Sequence, residues 1–102
     1  MRLVIGGIYQ GREGYARKQY GNDISIYRGL LTELEQGQNV AAILQRALAS
    51  QVVIAEEPYC GLTAVEADER RLWEEYGQLL KDLATEADSV ERVVCGIAQR
   101  LK

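Results

Sequence analysis

The stretch from Leu3 to Gly11, Leu-Val-Ile-Gly-Gly-Ile-Tyr-Gln-Gly, constrains this chain more than any other. A short apolar run breaks at a double glycine, and a third glycine precedes a polar segment with helical character. A run that is apolar on both faces suits a buried strand of a parallel sheet. Leu3 to Gly11 therefore reads as a strand, a tight glycine turn and the start of a helix. In α/β proteins such a turn points backbone N–H groups at a phosphate, and the helix N-terminus adds its positive partial charge.

The rest of the chain continues the alternation. Arg12 to Tyr20 places Tyr15, Ala16, Gln19 and Tyr20 roughly on one helical face, and Gly21-Asn22-Asp23 then punctuates. Ile24 and Ile26 alternate with polar neighbours, a weak strand signal. Leu30, Leu31 and Leu34 follow at helical spacing, with Gly37 as the stop. Asn39 is placed to cap a helix whose apolar positions are Val40, Ile43, Leu44, Ala47 and Leu48. Val52-Val53-Ile54 is the clearest strand, β-branched throughout and ending at Glu56-Glu57. Pro58 to Thr63 reads as a loop. A long helix from Val65 to Glu86 follows, with the stripe Leu72, Trp73, Tyr76, Leu79, Leu80 and Leu83. Val90 to Cys95 is a last strand, and Gly96 opens a short tail. The expectation is a small three-layer α/β fold with a mainly parallel sheet of about four strands.

The 102 residues suffice for one domain, 1–102, with one core. A sheet that small leaves apolar edges exposed, which favours a homo-oligomer. Lys and Arg number 12 against 15 Asp and Glu, an acidic balance that argues against a nucleic-acid partner. Neither a signal-peptide pattern nor a run of membrane-spanning length occurs, so no membrane partner and a cytoplasmic location are expected. Cys60 and Cys95 form no metal-ligand spacing and no C-x-x-C pair, and no metal site is expected. The chain has no histidine, which removes imidazole bases, nucleophiles and ligands altogether.

The phosphate-loop pattern is G-x-x-x-x-G-K-[ST]. Gly6 and Gly11 have its spacing and Gly7 lies between them, but Arg12 stands at the lysine position and Glu13 at the hydroxyl position. Arginine keeps the charge with a different reach and fork, whereas Glu13 brings a negative charge beside the expected phosphates. The candidate ligand-binding set is Gly6, Gly7, Gly11 and Arg12. The candidate ligand is GTP or ATP with Mg²⁺. Glu57 follows a strand onto the ligand edge of a parallel sheet and is the candidate catalytic carboxylate, able to orient Mg²⁺ or accept a proton. Asp23 is a secondary candidate and also suits a turn.

From Gln51 to Leu101 the pattern Val-Val-Ile-Ala-Glu-Glu-Pro-Tyr-Cys-Gly-Leu-Thr, Arg70, Gly77, Ala84, Ala87-Asp88, Val90 and Val93-Val94-Cys95-Gly96-Ile97 resembles a known family. It is similar to the C-terminal half of the adenosylcobinamide kinase / adenosylcobinamide-phosphate guanylyltransferase family of cobalamin biosynthesis. Val4 to Glu13 is similar to that family's V-T-G-G-x-R-S-G-K-S loop, and the two stretches cover roughly two-thirds of the chain. Family members are longer, and the segment carrying their guanylylated histidine has no counterpart before Asp23. Glu57, Gly61, Arg70 and Gly77 match the family's motif, whereas Pro58, Tyr59, Ala64, Trp73, Glu74, Leu80 and Lys81 depart from it. The resemblance implies a shortened P-loop NTPase-like fold and a nucleotide and a corrinoid as ligands. Three functions are compatible with it: a degenerate, non-catalytic family member, a minimal kinase acting on a corrinoid hydroxyl, and an interaction module that keeps only the fold.

Overall fold

The computed structural model describes residues 1–7, 10–57 and 67–102. Its elements are β1 (Arg2–Gly6), α1 (Arg12–Tyr20), β2 (Ile26–Tyr27), α2 (Leu30–Glu35), α3 (Val40–Leu48), β3 (Val52–Glu56), α4 (Ala67–Glu86), β4 (Ser89–Val94) and β5 (Ile97–Arg100). They form one five-stranded sheet in the order β2-β3-β1-β4-β5. β1 pairs in parallel with β3 on one side and β4 on the other, β2 pairs in parallel with β3, and β5 runs antiparallel to β4. The loop expected at Pro58 to Thr63 and the helix start expected at Val65 lie outside the described residues.

The sheet alternates cleanly, which explains its two-sided packing. Leu3, Val53, Ala55 and Val90 face a larger core built with Leu30, Leu34, Ile43, Ala47, Tyr76, Leu79 and Leu83 of α2, α3 and α4. Val4, Val52, Ile54 and Val93 face the other way, onto Ala16 of α1. Three helices thus cover one face and a single helix the other, as expected of three layers. The stripe expected on α4 faces the core: Tyr76, Leu79 and Leu83 are almost wholly removed from water, with Leu72 and Trp73 partly buried beside them, and each of the two leucines contributes about 1.5–3 kcal/mol of burial. The Cα radius of gyration, 13.4 Å, is that of a folded chain of this length.

Two expectations are corrected. The sheet has five strands rather than about four, and the segment after Gly96 is a strand, not a tail. The cause is the turn: Cys95 and Gly96 both take positive φ, 51° and 76°, the combination that turns a two-residue hairpin with the twist of its strands. Cysteine seldom adopts that conformation, so the local sequence carries little hairpin signal. On α1, Ala16 is fully buried and Tyr15 and Tyr20 pack beside it partly buried. No helix among the described residues is long and apolar enough to cross a membrane.

Candidate functional site

β1 and β3 lie side by side and parallel, yet the helices that follow them in the chain pack on opposite faces. The carboxyl ends of two such strands open a crevice between the diverging connections, where ligands of open α/β sheets bind. Here that crevice is a cleft of about 550 Å³. Its walls are Gly11–Gly14 at the start of α1, Arg28–Thr32 at the start of α2, and Ile54–Glu56 at the end of β3, with Tyr76 of α4.

Both helix starts on this cleft are built alike. α1 begins at Gly11 (φ 87°) and α2 at Gly29 (φ 85°), each in the left-handed region, and neither has a side-chain cap. The regular ladder begins only where the Tyr15 amide donates to the Gly11 carbonyl and the Glu33 amide to that of Gly29. The earlier first-turn amides of both helices are left without intrahelical acceptors. α3, which does not border the cleft, begins instead with the Asn39 side-chain oxygen accepting the Ala42 amide at 3.2 Å.

The close approach of the glycine turn to the sheet is steric. A Cβ on Gly6 would stand 2.6 Å from the Val93 carbonyl oxygen and 3.2 Å from Cγ of Arg12. Gly6 therefore lets β1 end flush against β4 and lets the Arg12 stem lie over the strand end, with Arg12 lining the cleft. From the other side, the loop is held by the β4–β5 hairpin. The Cys95 amide donates to Gln10 Oε1 at 2.6 Å and the Gly96 amide to the Gln10 carbonyl at 2.8 Å.

Glu13, the residue expected to repel phosphate, is charge-paired. Arg17 Nη2 donates to its Oε1 at 3.2 Å, and Arg28 Nη1 donates to its Oε2. Arg28 also lines the cleft, so two arginines, Arg12 and Arg28, border the same space. At the cleft wall, the Tyr76 hydroxyl donates to the Glu56 carbonyl at 2.7 Å. Burial, reinforced by the Glu56 charge, pushes the Tyr76 phenol well above its ordinary pKa; it is a fixed neutral donor rather than an acid.

The expected residues separate into two groups. Gly11 and Arg12 line the cleft, Gly6 lies beneath the Arg12 stem, and Gly7 follows Gly6 directly. Glu57 takes a different direction. Its amide donates to the Gly6 carbonyl at 3.2 Å, while its carboxylate accepts the Arg92 guanidinium through Nε and, at 3.2 Å, Nη2. Glu56, not Glu57, is the β3 carboxylate among the residues lining the cleft. Asp23 follows α1, at the opposite edge of the sheet from the cleft. No group of three or more His, Cys, Asp or Glu among the described residues is arranged to hold a metal.

Arg28 and Gly29 escape a reading based on periodicity, because the apolar spacing begins one residue later, at Leu30. Their signal is the resemblance between Gly11-Arg12 and Arg28-Gly29, two glycine-arginine pairs each at the start of a helix. In comparison with known proteins, the chain matches no family model and no curated protein.

Proposed function

We propose that this chain is a shortened, degenerate relative of the P-loop nucleotide-binding fold that holds the phosphates of GTP or ATP, with Mg²⁺, without transferring them. The observation that carries this proposal is the convergence on one cleft of the uncapped start of α1, which follows the glycine turn, and two arginines, Arg12 and Arg28. Free first-turn amides and the helix dipole favour an anion. Guanidiniums meet phosphate oxygens through paired hydrogen bonds. The pairing of Glu13 with Arg17 and Arg28 removes most of the repulsion its charge would bring. Further support comes from the sheet order, in which the glycine turn leaves the central strand, and from the cleft's position at the switch between β1 and β3.

Turnover is disfavoured by the same residues. Glu57, the carboxylate suited to orienting Mg²⁺ or a hydroxyl, is engaged by Arg92. Arginine and glutamate replace the lysine and hydroxyl that phosphoryl transfer uses at this loop. The resemblance from Gln51 to Leu101 extends the proposal to cobalamin biosynthesis, with a corrinoid as a second ligand. A minimal kinase would need the Glu57–Arg92 pair to open, and an interaction module would need no ligand at all.

Thermal unfolding with GTP, ATP or cobinamide, each with and without Mg²⁺, tests the proposal. A ligand bound only by the native state raises the melting temperature with concentration. A shift with a nucleotide that Arg12→Ala and Arg28→Ala each reduce is expected. A shift with cobinamide alone would make the chain a corrinoid binder, and no shift with any ligand would leave the interaction module.

A further inference from the structure

β5 closes one side of the sheet, and its outer edge pairs with no described strand. The hairpin register determines where each of its peptide groups points. Val94 opposes Ile97, Arg92 opposes Gln99, and the Leu101 amide extends the ladder by donating to the Val90 carbonyl at 2.8 Å. Ile97, Gln99 and Leu101 thus bond inward to β4, while the N–H and C=O groups of Ala98 and Arg100 point outward. Side chains alternate in step. Ala98 packs on the α1 side of the sheet, so Ile97, Gln99 and Leu101 share the opposite face with Val94. Ile97 is 74% exposed, Leu101 53% and Val94 45%, the three most exposed large apolar side chains among the described residues.

We propose that a second copy of this chain pairs with that edge, β5 antiparallel to β5, about a two-fold axis at Gln99. The two five-stranded sheets then become one continuous sheet. The register follows from charge and pattern. An axis at Arg100 would set like charges directly opposite each other, which is destabilising. An axis at Ala98 would oppose Ile97 to Gln99 and carry Leu101 past the strand to the partner's hairpin tip. An axis at Gln99 opposes Ile97 to the partner's Leu101, twice, on one face and Arg100 to the partner's Ala98 on the other. It also makes Ala98 and Arg100 the hydrogen-bonded pairs, so their outward amides and carbonyls meet partners of the right kind. The geometry is isologous and closed, which limits association to a dimer. One strand per subunit makes a small interface of the weak, concentration-dependent class.

Sedimentation across a wide concentration range and site-directed crosslinking test this dimer. Gln99 faces its own copy as a non-hydrogen-bonded pair, about 4.5 Å between Cα atoms, within disulfide reach. In a Cys60→Ser, Cys95→Asn background, Gln99→Cys should form a covalent dimer under mild oxidation, and Glu74→Cys, on the exposed side of α4, should not. Gln99→Lys places two like charges at the axis and should weaken dimerisation by about tenfold or more, with the circular dichroism spectrum unchanged. A monomer at every concentration, no Gln99→Cys crosslink, or a dimer indifferent to Gln99→Lys would each overturn the proposal.

Discussion

Replacing Gly6 with alanine puts a methyl group where the sheet leaves no room. The new Cβ would lie 2.6 Å from the Val93 carbonyl oxygen, a backbone atom held in register with Gly6 across the β1–β4 ladder. Real Cβ contacts are essentially never that short, so one strand must move relative to the other. Overpacking of this kind costs about 1–3 kcal/mol. The stiffer unfolded chain of an alanine variant offsets about 0.4–1 kcal/mol of it. The net loss expected is about 1–2 kcal/mol, which lowers the melting temperature by about 4–8 °C per kcal/mol in a domain of this size. Urea denaturation followed by circular dichroism and by Trp73 fluorescence gives the value, since Trp73 is the single tryptophan. Gly77→Ala is the control: it lies within α4, its Cβ would meet nothing within 4 Å, and it should gain up to about 1 kcal/mol from helix propensity. A Gly6→Ala protein as stable as the parent would refute the close approach of β1 to β4, and with it the steric basis of the glycine turn.

Three further outcomes are expected. Asn39→Ala removes the cap of α3 and should cost about 1 kcal/mol by the same denaturation measurement. Burial, then the hydrogen bond to Glu91, pushes the Tyr15 phenol up to about 12, whereas the unfolded chain ionises near 10.0. The folded state therefore keeps a proton that the unfolded chain releases, and this stabilisation, complete below pH 10, is lost as pH rises towards 12. Tyr15→Phe should be less stable at neutral pH and should flatten the alkaline loss in urea midpoints. Glu57→Gln breaks a partly exposed ion pair with Arg92. It should cost less than about 1 kcal/mol and leave nucleotide affinity unchanged in titration calorimetry, because Glu57 does not border the cleft.

Most of the architecture is legible in local pattern because its determinants are local. The α4 stripe repeats at helical spacing, Asn39 stands directly before the apolar face of α3, and Val52-Val53-Ile54 is β-branched without interruption. β5 is not legible, because its turn relies on Cys95 in a conformation usually left to glycine and asparagine. The site divides in the same way. Gly6, Gly11 and Arg12 are close in sequence, and their spacing reveals them. The neutralisation of Glu13 by Arg28, 15 residues on, and the capture of Glu57 by Arg92, 35 residues on, depend on packing between elements. A charge that looks prohibitive or catalytic in isolation changes meaning once its partner arrives from elsewhere in the fold. Glu91 behaves likewise: an apparently solvated charge in β4 is buried, accepting the hydroxyls of Tyr15 and Tyr20 of α1.

The most direct measurement is a nuclear magnetic resonance titration of the amide spectrum of this chain with GTP and with ATP, each with and without Mg²⁺. Binding of nucleotide phosphates at the cleft should shift the amides of Gly11 to Gly14 and Gly29 to Thr32 together, saturably, with the Arg12 and Arg28 Nε signals following. A spectrum that does not change, or changes confined to residues away from both helix starts, would contradict the proposed phosphate site.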